Sequence, residues 1–267
     1  MEAQGNLLKM KSCIAEGVVN YQLKLGDELI DMNELIGKSI TLHYQQQINC
    51  VACGKKTSKS FAQGFCYNCF QTAPQAEECV LKPELCRAHL GEARDMNFAQ
   101  QHCLIPHYVY LALSSGIKVG ITRETQVPTR WIDQGASSAV VIARVPNRHI
   151  AGVMEVALKN YYADKTNWRS MLKNEQVTDV DIVAEKHRAV ELLPLELQQY
   201  AEADDRVWQL NYPVEAYPQK PQTLSFDKAA KVTGTLKGIK GQYLLMDNDR
   251  VLNIRKHSGY LVRLSVD

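Results

Sequence analysis

Two cysteine pairs constrain this chain more than any other feature: Cys50-Val-Ala-Cys53-Gly54 and Cys66-Tyr-Asn-Cys69-Phe70. Each pair encloses two residues, and 12 residues separate the pairs. A Cys-x-x-Cys turn aims both thiolates to one side of a tight knuckle. Gly54 can take the positive φ that turns backbone N–H groups toward sulfur. Two such knuckles bring four soft ligands to the corners of a tetrahedron, which suits zinc at about 2.3 Å per Zn–S bond. A single redox-active Cys-x-x-Cys would leave the second pair unexplained. With all four positions supplied by protein, the spacing predicts a zinc ribbon whose role is folding rather than catalysis.

The remaining cysteines follow a looser pattern. Cys79, Cys86 and Cys103 lie at irregular intervals, with His89 three residues after Cys86 and His102 adjacent to Cys103. A Cys-x-x-His turn puts both side chains on one side, whereas neighbours in sequence diverge. Cys79, Cys86, His89 and Cys103 are therefore the expected ligands of a second structural Zn²⁺, with His102 the competitor for the fourth place. The competing reading makes the three cysteines small buried hydrophobes in a helical linker. Cys13 stands alone and is expected to be an ordinary buried thiol.

The 267 residues can bury a sizeable core in one or two domains. No apolar run approaches the roughly 18 residues of a membrane helix. The first thirteen residues mix Glu2, Lys9 and Lys11 with short apolar steps and hold no signal-peptide core. The expectation is a cytoplasmic chain with no membrane partner, in which eight cysteines read as metal ligands before disulfides. Net charge is +2, but residues 175–206 carry −6 and the remainder +8. A moderately basic body is compatible with nucleic acid as a partner, and equally with an ordinary solvated surface.

Taken in order, residues 1–47 read as a β region, with runs at Val18–Leu25 and Ser39–Gln45. Residues 48–106 form the cysteine-rich zinc-binding region. Tyr108–Leu113 and Ile117–Thr122, joined by Ser114-Ser115-Gly116, form a tight hairpin. Pro128 and Gly135 bracket a short helix, and Ala139–Val145 is a clean strand. Asn147 caps a helix from Arg148 to Tyr162 whose apolar stripe is Ile150, Val153, Met154, Ala157, Leu158 and Tyr161. Glu155 lies on the shoulder of that stripe. Residues 175–210 read as an acidic helical segment. Residues 222–267 hold four short strands, Lys231–Leu236, Gln242–Asp247, Arg250–Arg255 and Tyr260–Ser265, expected to pair with the N-terminal strands.

The order hairpin, helix with Arg, strand, helix with Glu, then Asn resembles the GIY-YIG nuclease-like fold over residues 107–174. In that resemblance Tyr108-Val109-Tyr110 corresponds to the first family triplet and Lys118-Val119-Gly120 to the second. Arg130, Glu155 and Asn167 correspond to the family's helix arginine, metal-binding glutamate and late asparagine. The chain also resembles an uncharacterised prokaryotic domain-of-unknown-function family with cysteine motifs ahead of this hairpin, through its Cys-x-x-Cys pairs, His107-Tyr-Val-Tyr-Leu-Ala and Arg130-Trp-Ile-Asp-Gln-Gly-Ala.

These resemblances imply an α+β fold: a three-stranded antiparallel sheet with flanking helices, a zinc ribbon and a small β unit from both termini. They imply a nucleic-acid-binding protein that cleaves by metal-dependent phosphodiester hydrolysis, with Mg²⁺ on Glu155, Arg130 neutralising charge and Tyr110 positioning water. Lys118 stands where the family has tyrosine and offers a phosphate contact instead. The alternative is a non-catalytic scaffold that binds nucleic acid or protein. There Lys55, Lys56, Lys59, Lys118, Arg123 and Arg148 would meet phosphates, and Arg123 competes with Arg130.

Overall fold

The computed structural model describes residues 1–175, 177 and 180–267. Asp179 of the acidic segment lies outside them. In chain order, the first strands are β1 (Glu2–Asn6), β2 (Lys11–Ala15), β3 (Val18–Leu25), β4 (Glu28–Asp31), β5 (Ser39–Asn49) and β6 (Lys56–Thr57). Helices α1 (Tyr67–Thr72) and α2 (Met96–His102) follow, with short 3-10 turns between them. Then come β7 (His107–Leu113), β8 (Ile117–Arg123), α3 (Thr129–Asp133), β9 (Ser138–Val145) and α4 (Arg148–Leu158). Beyond these lie α5 (Trp168–Leu172), α6 (Ile182–Glu191), α7 (Leu195–Gln198) and β10 (Val207–Gln209). The last five strands are β11 (Gln222–Leu224), β12 (Lys231–Lys240), β13 (Tyr243–Met246), β14 (Arg250–Asn253) and β15 (Tyr260–Val266).

The chain divides into two units, residues 1–71 with 210–267, and residues 72–209. The first unit is built on a sheet of order β1-β15-β5-β12-β13-β14-β11, with β6 on the end of β5 and a separate sheet β2-β3-β4. β5 alternates buried Ile40 and Leu42 with more exposed neighbours, a period-2 pattern that covers one face. Both its long neighbours, β12 and β15, come from the C-terminal segment. β12 continues through Lys240, past the end at Leu236 expected from the sequence. A bulge between Leu236 and Gly238 absorbs the irregularity, and Val214 lies so close that a Cβ on Gly238 would sit 2.7 Å from its Cα. Cys13, expected to be buried, is exposed on β2.

The second unit carries an antiparallel sheet of order β10-β9-β7-β8. Val109, Leu111 and Val119 of the hairpin pack with Val140 and Ile142 of β9, Met154 and Leu158 of α4, and Ala189 of α6. Asn147 accepts from the Ile150 N–H at 3.0 Å and starts α4 where the capping pattern predicts. The helix ends earlier, at Leu158, and its buried face is Ala151, Gly152, Met154 and Leu158, while Val153 and Tyr161 are exposed. The stripe is displaced because Gly152, not a large side chain, faces the Pro83–Leu85 turn: a Cβ there would be 2.2 Å from the Glu84 nitrogen. The acidic segment is not a separate module, since α6 joins this core and β10 pairs with β9. Nor do residues 48–106 form one zinc region, because the unit boundary falls between the two cysteine groups.

Candidate functional site

In the first unit the sulfurs of Cys50, Cys53, Cys66 and Cys69 all lie within 4.8 Å of one another. The backbone arranges them. Gly54 takes φ +71 and donates to the Cys50 carbonyl at 2.9 Å, closing the first knuckle, and the Cys69 N–H donates to the Cys66 sulfur at 3.5 Å. Cys53 and Cys66 sulfurs are 3.9 Å apart. A tetrahedral Zn(Cys)₄ centre with bonds of about 2.3 Å has sulfur separations of about 3.8 Å, so the donor set fits zinc. Burial raises the Cys50 thiol, but N–H donors led by those of Cys66 and Cys53 outweigh it and bring it down to about 6. Hydrogen bonds with Cys53 and Cys66 push Cys69 up to about 12. Four thiols this close cannot all ionise without a cation among them, and a divalent ion removes the conflict.

In the second unit Cys79, Cys86 and Cys103 form a buried trio within the same 4.8 Å limit. Hydrogen bonds from the Cys103 and Cys79 thiols carry Cys86 down to about 3, while Cys103 is pushed up by its bonds to Cys79 and Cys86. The Arg148 guanidinium lies 3.6 Å from the Cys79 sulfur. His89 is not in this trio: its ring stacks on His149 with centroids 4.4 Å apart. His102 is also committed elsewhere, stacking on Phe98 and bonding its carbonyl at 3.0 Å. Ligand spacing does not foresee either arrangement: His89 is turned by a ring on α4, and His102 by Phe98 one turn earlier on its own helix. Both cysteine groups can hold metal ions. Metal analysis is expected to find two per chain, with Cys69→Ser and Cys86→Ser each losing one. A single ion that survives Cys69→Ser but not Cys86→Ser would leave the ribbon without its metal.

The other constellation lies wholly in the second unit. Tyr110 is fully buried on β7, and its hydroxyl donates to Gln134 Oε1 at 3.0 Å. It stands opposite Gly120 on β8, where a Cβ would be 2.7 Å from the hydroxyl, so only glycine lets the ring lie across the strand. Lys118, two residues earlier, is 4 % exposed. Its pKa is brought down to about 7, chiefly by burial and then by Arg130, with Glu155 and Asp164 opposing. Burial raises Glu155, with Lys159 and Arg130 pulling the other way. Burial likewise raises Tyr110, against the charge and hydrogen bond of Arg130. Tyr110, Lys118, Arg130 and Glu155, from β7, β8, α3 and α4, therefore lie within electrostatic reach of one another.

Asn167 does not join them. It is exposed, and its side-chain oxygen caps α5 by accepting from Arg169 and Ser170 N–H groups at 3.1 and 3.3 Å. Arg123 does not compete with Arg130, since its charged neighbours are Arg148 and Cys103 of the cysteine trio. The residue missed from sequence is Asp164. The Val119 N–H donates to the Ala163 carbonyl at 2.9 Å, which ties this stretch to β8. Lys159 then lies 3.5 Å from Glu155 and 3.7 Å from Asp164. No helical or strand period marks Asp164, so only that backbone bond reveals it. A cavity of about 370 Å³ opens nearby, lined by Tyr108, Glu124, Asp204, Arg206 and Trp208 with Trp131. Trp131 also packs edge-on against Tyr110 at 5.8 Å.

No helix among the described residues is long and apolar enough to cross a membrane. Residues 37–262 match a family model described as "Protein of unknown function (DUF2797)". Neither the curated proteins nor the solved structures contain a match.

Proposed function

The chain belongs to the DUF2797 family, and on that premise we propose that its second unit is a GIY-YIG-like module that binds nucleic acid and hydrolyses phosphodiester bonds with a divalent metal ion. The observation that carries this reading is the meeting of Tyr110, Lys118, Arg130 and Glu155 from four separate elements. The antiparallel order β8-β7-β9, with α3 and α4 attached, supports it. Hard oxygen ligands suit Mg²⁺ or Mn²⁺, and Glu155 with Asp164 supplies two carboxylates around the Lys159 ammonium. A bound divalent ion supplies charge neutralisation at the scissile phosphate.

The chain's own residues do the rest. Arg130 presents a fixed cation to phosphate oxygens. Lys118, with a pKa brought to about 7, is partly neutral near neutral pH and able to take a proton from water, the work that tyrosine does elsewhere in the resemblance. Tyr110, held by Gln134, orients that water. Glu155→Gln is expected to abolish Mg²⁺- or Mn²⁺-dependent cleavage of DNA and RNA substrates while leaving the melting temperature nearly unchanged. Cleavage that survives removes Glu155 from the mechanism.

One observation favours a second, non-catalytic reading. Lys159 already pairs with Glu155 at 3.5 Å, which suits a module that binds phosphates without cutting them. Under that reading no divalent ion elicits cleavage, and affinity for nucleic acid falls steeply with salt.

A further inference from the structure

The zinc knuckles of the first unit carry a surface that the reading of the second unit leaves unused. No Asp or Glu occurs between Glu34 and Glu77, while Lys38, Lys55, Lys56 and Lys59 do. A Zn²⁺ held by four thiolates carries −2, so the stretch stays cationic with the metal in place. Lys55, Lys56 and Lys59 are exposed. Beside them stands a group of aromatic rings. Phe61 meets Phe70 in a stacked arrangement at 6.0 Å and 19°, and Tyr67 edge-on at 5.6 Å. Tyr67 is 63 % exposed, and the Lys59 ammonium lies 5.4 Å from the Phe61 ring centre. An exposed tyrosine backed by two phenylalanines is more than the ribbon's fold requires, because the knuckles are already held by backbone bonds to sulfur and carbonyl groups.

We propose that the acid-free zinc ribbon, through Tyr67, Phe61 and Phe70 with Lys55, Lys56 and Lys59, is a stacking platform for single-stranded nucleic acid. The chemistry selects this partner. Lysines at the rim meet a polyanionic backbone, and a free aromatic face meets the π-face of a base. In a duplex those faces are already stacked on one another, so the platform has nothing to receive. An apolar protein partner would meet three ammonium groups at the rim, and a membrane surface would leave the rings without a planar mate. The inference shares with the proposed cleavage only the class of partner: bases stacked here need not be cut in the other unit.

The test is fluorescence anisotropy on the full-length, metal-loaded chain, with labelled 12-nucleotide single strands of DNA and RNA and the matching duplexes. The expected result is tighter binding of single strands than of duplexes. Tyr67→Ala is expected to weaken single-strand binding about tenfold. Lys59→Gln is expected to reduce the slope of log affinity against log salt by about one. Metal content and melting temperature, unchanged in both variants, show that the ribbon is intact. Cleavage of the same strands is read separately after Mg²⁺ is added, so failure of cleavage and failure of the platform are separate results. Equal affinity for duplex and single strand, or full affinity in Tyr67→Ala with its metal retained, overturns the proposal. Should Tyr67→Ala lose metal, Tyr67→Phe against Tyr67→Ser decides it: stacking requires the first to bind and the second not.

Discussion

Lys118→Met is expected to make the protein more stable and to abolish the proposed cleavage of nucleic acid. Lys118 is 4 % exposed, and its pKa is brought to about 7, chiefly by burial and then by Arg130. Keeping a cation in such a place near neutral pH costs on the order of 3 kcal/mol. Methionine has similar length and no charge, so its melting temperature should rise by about 5 °C or more. The sign with pH follows from linkage. The folded-state pKa lies below the unfolded value, so between about pH 7 and pH 10 the unfolded chain binds more protons. Parental stability therefore rises with pH across that window through this group, and the methionine variant lacks that contribution. Thermal melts at pH 7 and pH 9 measure both effects. A variant that melts lower than the parent at pH 7 would mean that Glu155 and Asp164 more than repay the burial. Stability gained together with activity lost is the signature of a group kept for chemistry rather than for packing.

Gly152→Ala is expected to have the largest destabilising effect of any single methyl addition in the second unit. Its Cβ would meet the Glu84 nitrogen at 2.2 Å and the Pro83 carbonyl carbon at 2.4 Å, both backbone atoms that no rotamer change can move aside. The helix and the Pro83–Leu85 turn must separate, at a cost of about 3 kcal/mol, and a fall of about 8 °C in melting temperature should follow. The turn lies between Cys79 and Cys86, so the variant should also lose metal from that trio while the ribbon keeps its own. Gly116→Ala is the control, since its Cβ has nothing within 4 Å. Equal melting temperatures for the two variants would show that α4 is not seated on that turn.

How far the sequence carries varies by element, for reasons that lie in particular residues. The hairpin is readable because Tyr108–Leu113 and Ile117–Thr122 are β-rich around a short glycine loop, and the strands differ from that reading by one residue at each outer end. The clustering of Cys50, Cys53, Cys66 and Cys69 is readable because a Cys-x-x-Cys turn leaves its thiols one direction to point. The cap at Asn147 is local, and so it is visible as well. The pairing of Gly5 with Val262 is not visible in either strand alone, because nothing in a five-residue strand specifies a mate more than 250 residues away. The short strands β1 and β2, with polar Glu2, Gln4 and Lys11, take their place from that pairing and from β3 rather than from their own hydrophobic pattern.

The site divides in the same way. Tyr110, Arg130 and Glu155 can be placed on a hairpin, a helix and a helix shoulder from periodicity and resemblance together. The burial of Lys118 cannot, because a lysine in a strand is ordinarily a solvated residue. Asp164 owes its position to one backbone bond beyond α4, and Asn167 is drawn away by the open N–H groups of α5. The histidines near the second cysteine group follow π-stacking instead of ligand spacing, His89 with the distant His149 and His102 with Phe98 on its own helix.

The discontinuity of the first unit also sets a timetable. β5 is made early, but its neighbours β12 and β15 belong to the C-terminal segment. At about 5–20 residues per second, a ribosome needs roughly 10–40 s to travel from the end of β5 to the end of β15. Throughout that interval β5 offers unpaired N–H and C=O groups along its length, while the contiguous second unit can close behind it. The nascent chain thus carries a long open strand edge for most of its synthesis, which makes co-translational aggregation through β5 a hazard of this topology. A ribbon that loads its metal as soon as Cys69 emerges would cap one end of that edge from the start.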